Sequence, residues 1–181
     1  MEALSKSELL AVLAHARAHS ERDFLMILMS YSHGLRASEV VSIVRDDIKE
    51  GQLHVRRLKG SNATNQSLHS DANPLLNERK AVFDFVRFLP GNQKLFPVTR
   101  RQFGRIVRRH AAAAGLPENK RHPHMLKHTM GAEIYEKSKD LRLVRMRLGH
   151  KRESSSLIYS GRVAEQAADA QVDALLASPP V

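Results

Sequence analysis

Cysteine and tryptophan are absent from the 181 residues, and aromatic side chains make up only 5% of them. Without cysteine there is no disulfide, no thiolate nucleophile and no Cys-built zinc site, so the fold rests on its apolar core. No hydrophobic run approaches the roughly 20 residues that a membrane span requires. The opening Met1-Glu2-Ala3-Leu4-Ser5-Lys6 lacks the charged-then-apolar pattern of a leader, which makes the cytoplasm the expected compartment. No glycine loop of the nucleotide-binding kind appears, and neither internal repeats nor linker-like stretches interrupt the chain.

What is abundant is positive charge. Lys and Arg number 29 against 19 Asp and Glu, a formal charge of +10. That balance favours polyanions, with nucleic acid first among them, through counterion release. The length suits one domain over residues 1–181, with enough apolar content to bury a core.

Local signals divide the chain into helices with one break for strands. Ser5 with Glu8 is a capping box ahead of Leu9, Val12, Leu13 and Ala16. Phe24, Ile27, Leu28 and Tyr31 repeat at helical spacing, with Gly34 placed as a left-handed cap. Helical spacing resumes from Ala37 to Ile43. Leu53 to Arg57 alternates at strand period, Lys59-Gly60-Ser61-Asn62 reads as a turn, and hairpin logic puts a second strand near Gln66 to Ser70. Asn77 caps a helix that Pro90-Gly91 stops. Thr99 with Gln102 opens another, whose Arg100, Arg101, Arg105, Arg108 and Arg109 lie off its apolar face. Pro123 suits the first turn of the next, Asp140 to Leu148 forms one more closed by Gly149, and Ala164 to Leu176 is an Ala-rich helix. The expected class is α+β, mainly helical, with one small antiparallel sheet.

Cleaving a phosphodiester without a metal takes a nucleophile, cations around the non-bridging oxygens and an acid for the leaving 5′ oxygen. Arg36 starts a helix, where its guanidinium combines with a positive helix end, and Glu39 at i+3 is placed to hold it. His124, Lys127, His150 and Tyr159 follow in order. Thirty-five positions separate His124 from Tyr159, and nine separate His150 from it.

These elements resemble the catalytic domain of tyrosine recombinases, the phage-integrase family. Arg36-x-x-Glu39 is similar to the family's first arginine segment, His122-Pro-His-Met-Leu-Lys-His-Thr129 to its His-x-x-Arg box, and Leu148-Gly149-His150 to its Leu-Gly-His element. The likeness covers roughly residues 20 to 165. It implies the tyrosine-recombinase catalytic fold and site-specific breaking and rejoining of DNA, with Tyr159 attacking phosphorus to give a 3′-phosphotyrosine link. That link conserves bond energy, so no cofactor is expected. It assigns Lys59 to protonation of the leaving 5′ hydroxyl, His124 to acid-base or positioning work near Tyr159, and His150 to the scissile phosphate. It also implies double-stranded DNA with specific sites as partner, a homotetramer on two paired sites formed from a monomer, host DNA-bending proteins as accessories, and a nucleoid-associated location. The C-terminal helix, with Val163, Ala167, Val172, Leu175 and Leu176, resembles the segment that docks on a neighbouring protomer.

Two departures stand out. Lys127 occupies the place where the family has arginine, one compact ammonium replacing a planar fork. Only about twenty residues precede the resemblance, where family members commonly carry a separate DNA-clamping domain. A single-domain enzyme, of the kind that inverts promoter segments in fimbrial phase variation, and a piece of a longer one both fit. Ordinary readings stand beside these. A tyrosine in an apolar segment is usually packing, a lysine in a turn is usually solvated, and the arginines of residues 100–109 are as readily a wet face as a DNA contact. His122, His124 and His128 are an alternative metal set, with no carboxylate or cysteine close in sequence. Lys127 also supports a reading in which the chain keeps the fold and binds DNA without cutting it.

Overall fold

The structure, a computed structural model, describes residues 3–57, 62–150 and 159–160. Helix α1 (Lys6–His19) begins at the expected capping box: Ser5 Oγ accepts from the Glu8 amide, and the Glu8 carboxylate accepts from the Ser5 amide. Helix α2 (Glu21–Ser32) is buried at every position from Asp23 to Ser32. A helix covered all round belongs at the centre, and α2 packs against α1, α3 (Ala37–Val40), α4 (Glu78–Val86) and α6 (Pro123–Ser138). Helix α5 (Arg100–Ala113) closes the far side against α1, and α7 (Leu141–Leu148) lies on α6.

The expected helix over 37–43 stops at Val40. Beyond it the backbone is taken by another partner: Leu95 donates to the Ile43 carbonyl, Arg45 to that of Gln93 and Asp46 to that of Gly91. This tie is long-range, and helical spacing does not disclose it.

The sheet has three antiparallel strands, β1 (Ile48–Lys49), β2 (Gln52–Val55) and β3 (Thr64–Ser67). β1 was not expected from the sequence. It exists because Glu50 and Gly51 both adopt positive φ, +52° and +73°, the geometry of a two-residue hairpin turn. β3 begins two residues earlier than expected, in register Leu53↔Gln66 and Val55↔Thr64. Polar groups set that register: His54 Nδ1 meets Asn65 Oδ1 at 2.6 Å, and buried Gln66 turns its Oε1 to His33 Nδ1 at 2.9 Å.

Asn77 and Thr99 cap their helices, Pro123 opens α6, and Gly149 (φ +67°) ends α7, as read; α4 stops at Val86, ahead of the expected Pro90-Gly91. Gly34, at φ +57°, reverses the chain just after α2. A Cβ there would lie 2.2 Å from Leu148 Cδ2, so glycine lets the end of α2 approach the end of α7. Lys59, the stretch 154–158 and the C-terminal helix with its docking face lie outside the described residues.

Two features test this packing. Asp23, fully buried, accepts from Arg22, Arg109 and His110 at 2.6–3.1 Å and joins α2 to α5. Burial pushes its carboxyl up, but those donors outweigh it and hold it below its ordinary 3.8, so its contribution is present above that pH and lost as pH falls through its folded value. Asp23→Ala is expected to lower unfolding free energy by about 2 kcal/mol at neutral pH, with the gap to wild type narrowing below pH 4 in denaturant titrations. The second feature is a small core of Val144, Leu148 and Tyr159 between α6 and α7. A Cβ on Gly131 would lie 2.4 Å from Tyr159 Cζ. Gly131→Ala should therefore destabilise by about 1–2 kcal/mol instead of giving the ~1 kcal/mol helix gain, and thermal unfolding should show the gain restored in a Tyr159→Ala background.

Candidate active site

The site is assembled where the ends of α2, β2 and α7 meet the start of α3 and the first turns of α6. Arg36 is the residue before α3. Its amide donates to Glu39 Oε2 at 2.7 Å and its Nη1 to Glu39 Oε1 at 3.0 Å, so the glutamate holds both backbone and guanidinium as the i+3 spacing implies. Glu39 is 2% exposed, whereas the Arg36 side chain remains 35% exposed and faces outward. An open cleft beside it is lined by Ser38, Arg100, His122 and His124.

The inner face of Glu39 is taken by Arg57, two residues past β2. Arg57 Nη1 donates to Glu39 Oε2 at 3.0 Å and to the Gly34 carbonyl at 3.1 Å; Nη2 donates to the carbonyls of His33 at 3.0 Å and Arg147 at 2.7 Å. Along the sequence this residue is one of an alternating strand run. The pair Arg56-Arg57 directly before a turn was the available signal: Arg56 points out to Asp47 while Arg57 points in.

From α6, Lys127 reaches the end of α7 and donates to the Leu148 carbonyl at 3.1 Å. His150 follows Gly149, its amide bonded to the Arg145 carbonyl. Lys127 is 3% exposed, and burial first, then Arg57 and Arg36, brings its ammonium down to about 7. Burial and then Lys127, Arg36, Arg57 and His124 bring His150 down to about 4. His124, at the accessible start of α6, is lowered by its packing and by Lys127, His122 and Arg36. Burial pushes Glu39 up, yet the Arg36 amide and the surrounding cations hold it below the usual carboxylate range. The one carboxylate is outnumbered, so these cations depress one another. An oxyanion bound among them relieves that repulsion and raises the proton affinity of Lys127 and His150.

Tyr159 stands on the other flank of α6. It is 4% exposed, with its hydroxyl 3.4 Å from His128 Nδ1 and its ring 5.3 Å from that imidazole. His128 in turn stacks on His124, centroids 6.5 Å apart at 16°. The three rings form a ladder along α6 from the cleft to the phenol. In sequence His128 enters only the alternative metal set, and its i+4 spacing from His124 is the signal for the ladder. Among the described residues no group of three or more His, Asp or Glu side chains is placed to hold a metal ion. The structure thus gathers Arg36, Glu39, His124, Lys127 and His150, and links Tyr159 to them through His128. Lys59 is outside the described residues; on either side of it, Arg57 is tied to the site as above and the Asn62 amide donates to the Gly149 carbonyl at 3.1 Å.

Known proteins carry the same arrangement of chain. A model of the phage integrase family matches residues 2–165. Tyrosine recombinase XerD of Xanthomonas campestris pv. campestris is 33% identical over 181 aligned residues, which cover 88% of this chain and 54% of XerD. The type 1 fimbriae regulatory protein FimE of Escherichia coli K12 is 31% identical over 157 residues, 79% of this chain and 76% of FimE. The chain therefore spans about half the length of the XerD relative and three quarters of FimE. Among solved structures, XerH recombinase bound to its difH substrate superposes with a TM-score of 0.68 at 23% identity, over 92% of this chain and 52% of that one. The lambda integrase catalytic core gives 0.65 at 21% identity, over 84% of this chain and 93% of that one. Both likenesses show that the fold is the tyrosine-recombinase catalytic fold. With the family model matching nearly end to end, and the expected arginine, box and Leu-Gly-His segments folded into one site, the chain belongs to the phage integrase family.

Proposed function

We propose that this chain is a catalytic domain of a site-specific DNA recombinase, cutting and rejoining strands through Tyr159 in integration, excision or inversion. The observation that carries this reading is the convergence of Arg36, Lys127, His124 and His150 on one basic site, with Tyr159 coupled to it along α6. The names of the relatives agree: XerD is a tyrosine recombinase, the XerH structure is bound to its difH substrate, and a further lambda integrase structure is a tetramer bound to a Holliday junction.

In this reading the scissile phosphate lies against Arg36, His150 and Lys127, whose positive charge meets the charge that develops on the non-bridging oxygens. Tyr159 Oη bonds to phosphorus and gives its proton to a histidine of the ladder. The bond from phosphorus to O5′ breaks, and O5′ takes a proton from Lys59. Attack of a 5′ hydroxyl on the phosphotyrosine reverses each step, so the bond energy is retained throughout. Exchange between two duplexes needs four protomers, which makes the working form a homotetramer on paired sites built from monomers. Host DNA-bending proteins fit as accessories, and the place of action is the nucleoid.

Covalent trapping tests this directly. With a nicked suicide duplex built from the repeats beside the gene, wild type should give a protein-DNA adduct on a denaturing gel and Tyr159→Phe none; specific binding without an adduct defeats the proposal. Lys127→Ala should slow adduct formation by about 10²–10³-fold while duplex affinity at fixed salt changes only a few-fold, measured by fluorescence anisotropy.

A further inference from the structure

We propose that Arg57 is a positioning residue of this site: it fixes Arg36 through Glu39, ties that segment to the end of α7 that carries His150, and supplies the permanent buried charge against which position 127 carries lysine. The inference rests on the reading of the chain as a DNA-cleaving enzyme.

The Arg57 side chain is fully buried. Placing a guanidinium there costs several kcal/mol unless its donors are met. Its Nη1 and Nη2 donors go to three separate pieces of the fold: the His33 and Gly34 carbonyls at the end of α2, the Glu39 carboxylate of α3, and the Arg147 carbonyl at the end of α7; Nε has no partner among the described residues. Those carbonyls are helix-end acceptors without intrahelical partners. One planar fork therefore sets the spacing between the segment of Arg36 and the segment of His150. The packing is close as well, since a Cβ on Gly149 would lie 3.0 Å from Arg57 Nε. A lysine in this place has three donors on a flexible stem and cannot span the same three pieces.

The electrostatics give the second half. The charged groups acting on Lys127 are Arg57 at the exit of β2 and Arg36 and Glu39 at α3; His124 on its own helix and His150 after α7 share the same field, and Lys127 in turn depresses both histidines. Arg57 cannot lose its proton near neutrality. A second buried arginine at 127 would add a third cation unable to discharge beside a single carboxylate. Lysine can discharge, and burial together with Arg57 and Arg36 favours that discharged form. Arg57 and Lys127 thus work as a pair: residue 57 holds the permanent charge, and residue 127 carries a proton that comes and goes with the phosphate.

Single-turnover cleavage of the nicked duplex between pH 5.5 and 9.5 reads both halves. At subsaturating duplex, where the rate reports the free site, wild type should show an ionisation near neutrality that Lys127→Arg removes. Arg57→Met should move it up by about one pH unit, a tenfold gain in proton affinity, and lower the plateau rate at unchanged duplex affinity. Arg57→Lys, which keeps charge and loses the fork, should lower the plateau rate without that shift, so it reports positioning even where Arg57→Met does not fold. An ionisation in the same place in Arg57→Met, or plateau rates per folded molecule equal to wild type in both variants, overturns the inference. If wild type yields no adduct, the DNA-cleavage reading fails instead, and the Lys127 13Cε titration by NMR in wild type and Arg57→Met decides the charge coupling by the same shift or its absence.

Discussion

The buried carboxylate of Glu39 is the point on which the site depends. It accepts from the Arg36 amide, from the Arg36 guanidinium and from Arg57, and is almost without contact with water. An ionised group so placed is tolerable only because its charge is met and its lone pairs are filled. Removing any donor leaves a charge stranded, which makes this small network stiff. Stiffness here holds Arg36 half open toward the cleft at a fixed angle.

Around that anchor the fold brings together pieces far apart in sequence. Gly34 lets the end of α2 meet Leu148, Arg57 ties β2 to both, and Lys127 bonds the Leu148 carbonyl from α6. The carbonyls at the end of α7 are thus held by cations from two directions. His150 inherits its position from that clamp. The net result is a site where one buried carboxylate faces several cations, and where Lys127 and His150 are depressed by burial and by those neighbours. The Asp23 network does separate work, joining α2 to α5.

Much of this was legible along the chain. Capping boxes at Ser5 and Thr99, Asn77 as a cap, Pro123 at a helix start and Gly149 at a helix end are local chemistry, in which a side chain or a missing one satisfies backbone groups three or four residues away. The order Arg36, Glu39, His124, Lys127, His150, Tyr159 was legible for a similar reason: motif spacing is itself a record of sequence distance. What escaped was held by long-range pairing. α3 is cut short by bonds to residues 91–95, β3 takes its register from His33 and His54, and Arg57 looked like one more strand residue until its partners at 33, 34, 39 and 147 were in place.

By itself the sequence determined the helical class, the basic character, the helix boundaries set by caps, and the candidate residues with their order, because each depends on composition or on neighbours within a turn or two. Only the tertiary structure decided that Arg57 lies beneath the site, that Lys127 is buried among cations and depressed toward neutrality, and that Tyr159 packs on Gly131 and meets His128. Those outcomes depend on burial and on charges brought within a few ångströms of one another. Both arise when α2, β2, α6 and α7 converge, and neither is encoded in any one stretch of chain.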